Sequence, residues 1–160
     1  MKKLFFLLSM SWAITSFSQT EISGKYDHIG KFYNGVALVK LNGMTGLINS
    51  EGKEIIKPTY DKLSAFGNDG VAYAFKNGQV GLVNIEGKVL SEPVFDHIGM
   101  FHGNRAVVKK NGMEGIIDIN GKVLIEPKYD KLKVEDNGLV KVFQNGQESL
   151  LKIDPPATTN

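Results

Sequence analysis

The chain has 160 residues, 42% of them hydrophobic, which suits one domain of ordinary size able to bury a core of its own. Its formal charge of +2 comes from Lys2 and Lys3; beyond them 17 basic residues balance 17 acidic ones with Arg105 the only arginine, so nothing electrostatic favours nucleic acid or an anionic membrane as partner. The absence of cysteine excludes disulfide staples and an acylated cysteine anchor, leaving packing to hold the fold.

Met1 to Ser18 reads as a secretory signal peptide. Lys2-Lys3 form its charged start, the run from Leu4 to Phe17 is apolar, and Ser16 and Ser18 are the small residues a signal peptidase requires. The run is interrupted by serines and a threonine and is too short for a membrane anchor. The expected product begins at Gln19, is exported to the periplasm or the exterior, and does not insert in a membrane after cleavage.

From Tyr26 onward the chain repeats itself. Tyr26-Asp27 returns as Tyr60-Asp61, Phe95-Asp96 and Tyr129-Asp130, every 34 or 35 residues. Three landmarks keep phase with it: the pairs Asn42-Gly43, Asn77-Gly78, Asn111-Gly112 and Asn145-Gly146; a second glycine at Gly52, Gly87 and Gly121; and a proline at Pro58, Pro93 and Pro127. Such a period belongs to arrays and propeller-like folds. The boundaries that follow are a leader at 1–18, a repeat domain at 19–154 with units at 26–59, 60–94, 95–128 and a partial 129–154, and a tail at 155–160.

Each unit reads as β. Two short β-rich runs flank each Asn-Gly pair, which supplies the two positive φ angles of a type I′ hairpin turn. The turn sets the register: Leu41 opposes Met44, Val39 opposes Gly46, Leu38 opposes Leu47 and Ala37 opposes Ile48. In the third unit the same count sets Lys109 against Glu114 and Arg105 against Asp118, two opposite-charge pairs that another register would lose. A second turn begins at Asn49, Asn84 or Asp118, and its third short strand is expected to stop at the proline, which cannot donate to a ladder. The unit is therefore expected to be a three-stranded meander, with the segment after Tyr-Asp as a link whose Leu63 and Phe66 pack between units.

The expected architecture is all-β, tandem hairpin or meander repeats in an open array. A small closed propeller-like ring is the alternative, because residues 20–25 stand in the phase of a third strand and the last unit has only two strands before Pro155-Pro156.

The order of hydrophobic strand, polar turn, glycine, Pro-x-Tyr-Asp and a phenylalanine before the next glycine resembles the WG-repeat family of bacterial proteins, over nearly all of the chain after the leader. The tryptophan position of that motif holds Thr45, Val80, Glu114 and Glu148. The glycine after it is kept as Gly46, Gly81 and Gly115 and becomes Ser149 in the last unit. The resemblance implies a repeat scaffold and brings no catalytic residue.

No nucleophile elbow, P-loop, dinucleotide turn or zinc-protease motif occurs, so no activity and no cofactor are expected. The repeated carboxylates, Asp27, Asp61, Asp96 and Asp130, could line up for a metal but suit hydrogen bonding to their own turns better. His28 and His97 are in phase, and lysines fill that place in the other two units, which disfavours zinc. The rings of Tyr26, Tyr60, Phe95 and Tyr129 could form a sugar-stacking stripe, yet each stands beside buried-looking Ile or Leu and reads as core. Gly46, Gly81 and Gly115, small and in phase, imply a ring or a neighbouring strand lying close above them. The expected function is a non-catalytic scaffold that binds another protein; the alternative is a glycan or cell-envelope module using Tyr33 and Tyr73.

Overall fold

The structure, a computed structural model, describes residues 24–135 and 138–153. The leader, the cleavage site and the tail lie outside the described residues. Of the segment 20–25 expected as a strand, only Gly24 and Lys25 are described, and neither is in a strand. The chain divides into two compact units, one ending at Thr59 and one beginning at Tyr60.

The first sheet is antiparallel, in the order β1-β2-β3-β4, made of β1 (His28–Ile29), β2 (Val36–Leu41), β3 (Met44–Asn49) and β4 (Glu54–Tyr60), and belongs to the first unit but for Tyr60 at its end. Asn42 and Gly43 have φ of 52° and 80°, as a type I′ turn needs, and the pairing it sets matches the four pairs counted from the sequence. Tyr26, Ala37, Val39 and Ile48 form the buried cluster of this sheet.

The second unit repeats that meander with β5 (Lys62–Leu63), β6 (Val71–Lys76), β7 (Gln79–Asn84) and β8 (Val89–Phe95), then β9 (His97–Ile98), β10 (Arg105–Lys110), β11 (Met113–Asp118) and β12 (Val123–Tyr129). The last sheet has three strands, β13 (Lys131–Val134), β14 (Leu139–Gln144) and β15 (Gln147–Lys152). Lys109 opposes Glu114 and Arg105 opposes Asp118, as the turn dictates.

The sheet of β9 to β12 buries both faces. Val80 and Leu82 of β7 with Phe95 pack on Ile98, Ala106, Val108 and Ile117 of the next sheet. Ile116, one residue along β11 and so on its other face, packs with Ile125 on Leu132, Val140, Val142 and Ile153. Ile116 and Ile117 are both fully buried, one in each core. This explains the near-continuous apolar runs of the middle strands where a half-exposed sheet would show alternation.

Two expectations are corrected. The link after Tyr-Asp is not unstructured: it contributes β1, β5, β9 and β13, so the complete sheets have four strands rather than three. Only two residues of that segment pair in β5 and β9, too few to leave a period-two signature.

The proline does not end its strand either, since β4, β8 and β12 run through Pro58, Pro93 and Pro127 to the aromatic residue. In the second unit the ladder bulges there: Val80 pairs with Phe95 and Leu82 with Ser91, and Glu114 pairs with Tyr129 and Ile116 with Ile125. Four residues of the outer strand thus span two of the inner one, and a proline at an edge bulge forfeits no ladder bond.

Candidate functional site

Each of the four repeated aspartates has a partner in the backbone of its own sheet. Oδ2 of Asp27 accepts from the N–H of Asn42 at 2.6 Å, and Asp61 with Asn77, Asp96 with Asn111 and Asp130 with Asn145 repeat the bond at 2.6, 2.6 and 2.7 Å. The carboxylate therefore reaches across the sheet to clamp the Asn-Gly turn 15 or 16 residues ahead. Its expected partner, its own turn, is corrected: the short strand after Asp places it beside the hairpin end, where an exposed N–H awaits an acceptor.

The second set of turns is local, as its residues imply. Oδ1 of Asn49 accepts from Glu51 and Lys53 at 3.0 and 2.9 Å, Oδ1 of Asn84 from Lys88 at 2.8 Å, and Oδ1 of Asp118 from Asn120 and Lys122 at 2.9 Å each. Gly52, Gly87 and Gly121 take the left-handed position with φ of 81°, 84° and 81°.

Gly46, Gly81 and Gly115 lie beneath the fourth strand of their sheets, with backbone, not a ring, above them. A Cβ on Gly46 would stand 2.6 Å from the carbonyl oxygen of Ile56 and 2.7 Å from the nitrogen of Pro58; on Gly115 it would stand 2.5 Å from the oxygen of Ile125 and 2.7 Å from the nitrogen of Pro127. On Gly81 it would collide with the oxygen of Ser91 and lie 2.6 Å from the carbonyl carbon of Glu92. The recurrent proline has a role here, because a nitrogen without hydrogen can come this close without burying an unpaired donor.

The residue before that glycine changes with the repeat. Thr45 and Val80 are buried, Glu114 is half-buried and Glu148 is exposed. Glu114 joins two repeats: its Oε2 accepts from the N–H of Leu132 in β13 at 2.7 Å, and its Oε1 is 4.0 Å from Nζ of Lys109. Sequence reasoning registered the Lys109 pairing and missed the Leu132 bond, for which a lone acidic residue at a hydrophobic motif position was the available signal.

The aromatic residues divide. Tyr26, Tyr60 and Phe95 are core, as expected of the repeated aromatic. Burial, with a hydrogen bond from its hydroxyl to Glu54 at 2.9 Å, raises the pKa of Tyr26. Glu54 is lowered by its hydrogen bonds to Lys25 and Tyr26. Tyr73 is not the exposed ring expected of a stacking site: it is half-buried, its hydroxyl donates to the carbonyl of Gly99 at 3.0 Å, and its ring lies 6.3 Å from that of Phe101. The neighbouring sheet covers that face.

Tyr33, by contrast, is 56% exposed and adjoins Phe32, itself 49% exposed. A second type I′ turn, Asn34-Gly35, holds Tyr33 against Val36 through paired backbone bonds of 2.8 and 3.1 Å. His28 and His97 are exposed and oppose Lys40 and Lys109. Among the described residues no group of three or more His, Cys, Asp or Glu could hold a metal ion.

The profile of the WG containing repeat matches residues 19–44, 46–79, 81–113 and 115–147. The chain belongs to the WG-repeat family. The second, third and fourth matches begin at Gly46, Gly81 and Gly115, the residues that the fourth strand of each sheet crosses. No curated protein matches this WG-repeat chain. Solved structures that it resembles include Kluyveromyces lactis Hsv2, at 12% identity over 78% of this chain and 44% of that one with a TM-score of 0.38. KlHsv2 with loop 6CD replaced by a Gly-Ser linker matches at 11% over 76% and 46%, TM-score 0.38. The tricorn protease matches at 17% over 79% and 17%, TM-score 0.30. The chain spans less than half the length of each of them.

Proposed function

We propose that this WG-repeat chain is an exported, non-catalytic scaffold that presents a surface to another protein. The observation that carries this reading is the exposed pair Phe32 and Tyr33, held out by a two-residue turn whose geometry is set by hydrogen bonds. Large rings on rigid backbone lose little entropy on docking and make the usual anchors of protein interfaces. The recurrent polar residues support it from the other side, because the four aspartates are engaged with turn N–H groups. Recognition then falls to residues that differ between repeats.

Immobilised chain exposed to the native envelope and medium should capture a partner that the double variant Phe32→Ser/Tyr33→Ser no longer retains. Capture unaffected by that variant would remove the assignment. Binding of a glycan, the second reading, keeps only Tyr33 of its two tyrosines; soluble polysaccharide fragments that shift tyrosine fluorescence in the chain, and not in Tyr33→Ser, would favour it.

A further inference from the structure

The last sheet differs from the others at its edge. In the second and third sheets β7 and β11 are followed by a bulged fourth strand; in the last sheet, among the described residues, β15 pairs with β14 alone. Gln147, Glu148, Ser149, Leu150 and Lys152 are exposed, and Leu150 is 58% so. Ser149 stands where Gly46, Gly81 and Gly115 let a bulge approach, and a Cβ at those glycines collides with backbone. A strand on β15 must therefore be regular, unlike β8 and β12.

The direction of the backbone groups follows from the turn. Gln144 and Gln147 flank Asn145-Gly146 and form the first hydrogen-bonded pair, so alternate residues of β15 from Gln147 onward turn their N–H and C=O toward β14. Glu148, Leu150 and Lys152 turn theirs to the open edge. The equivalent residues of the second sheet, Val80 and Leu82, are the ones that pair with β8.

We propose that this edge pairs with the same edge of a second copy, antiparallel about a two-fold axis through Leu150. Outward-facing residues must oppose outward-facing residues, which permits few registers. The register centred on Leu150 sets Glu148 opposite Lys152 of the partner subunit, twice by symmetry, around a Leu150 pair that becomes covered. Shifting by one step either way sets Leu150 against Glu148 or against Lys152 and loses both charge pairs. Glu148 is already oriented by Lys141, whose Nζ lies 3.0 Å from its Oε1. The contact joins two three-stranded sheets into one of six strands and is isologous, so it closes as a dimer instead of growing into a filament. Its area is that of one short strand pair, and its affinity is correspondingly weak.

Sedimentation velocity of the full chain over a concentration series tests this. The wild-type chain should show a reversible monomer–dimer equilibrium. Glu148→Lys and Lys152→Glu should each weaken it about tenfold, since each turns two attractive cross-strand pairs repulsive. An equimolar mixture of the two variants should dimerise again, because every cross-strand pair between unlike chains is then complementary. Leu150→Pro removes an outward N–H that the β14 ladder does not use and should also abolish the dimer. A wild-type chain that stays monomeric up to millimolar concentration would overturn the proposal and leave Glu148 and Lys152 as guards of an edge kept single. Dimers indifferent to both charge reversals, or a monomer that pairs only with an unrelated extended peptide, would overturn it equally.

Discussion

Replacing Gly81 by alanine isolates the close approach between β7 and the bulge of β8. The added Cβ would lie 2.6 and 2.7 Å from the carbonyl carbon and oxygen of Glu92, beyond its collision with the oxygen of Ser91. Comfortable separations are about 3.5–4.0 Å, so the two strands must part by more than about 1 Å. All of the atoms met are backbone, and the bulge is tied on either side by the Val80–Phe95 and Leu82–Ser91 pairs. Overpacking of this kind costs about 1–3 kcal/mol, partly offset by the ~0.5–1 kcal/mol that alanine gains over glycine in chain entropy. Because every contact is with backbone, the cost falls at about 2–3 kcal/mol and the expected net loss is about 1–2.5 kcal/mol, which in a chain of this size lowers Tm by about 2–4 °C per kcal/mol. Gly81→Val should lose more. Urea unfolding followed by circular dichroism reads the change, with Ser149→Ala, where no described strand lies above the position, as a control within about 0.5 kcal/mol of wild type. A Gly81→Ala protein as stable as that control would refute the argument, showing that the bulge yields freely.

Asp96→Ala should remove the acceptor of the Asn111 N–H; the bond is charge-assisted but exposed, so a loss of about 1 kcal/mol is expected, together with faster amide exchange at Asn111. Unchanged exchange there would show the clamp to be idle. Gly112 and Gly121 have nearly equal φ, 80° and 81°, yet a Cβ on Gly112 meets nothing within 4 Å while one on Gly121 collides with the carbonyl of Leu90. Gly112→Ala should therefore cost the left-handed penalty of about 1–2 kcal/mol, and Gly121→Ala distinctly more; equal losses in urea melts would contradict this. Burial raises the pKa of Tyr60 and Tyr73 above the ordinary 10.0. Their contribution to stability is thus complete below the unfolded value and disappears as pH climbs through the raised folded value. Tyrosinate absorbance in the native chain should lag behind that in urea, and Tm should fall on that alkaline limb; coincident titrations would argue against the burial.

The sequence alone determined what neighbouring residues decide among themselves. Asn-Gly pairs require two positive φ angles, and that local demand set the register of Val39 against Gly46 and of Lys109 against Glu114 without knowledge of any other part of the chain. Asn49 and Asp118 likewise hold turns two to four residues ahead. What the tertiary structure decided involves atoms distant along the chain or strands too short to show a period. Asp61 bonds a turn 16 residues away, across β5, a two-residue strand that no periodicity betrays. Pro93 was read as a stop because a proline cannot donate, and only the paired sheet shows that an edge bulge makes the missing donor harmless and brings backbone onto Gly81. Tyr73 and Tyr33 carry the same side chain and were given the same role. They differ because the third sheet covers one and a two-residue turn projects the other, and burial is a property of what lies opposite a side chain, which the chain's own order does not state.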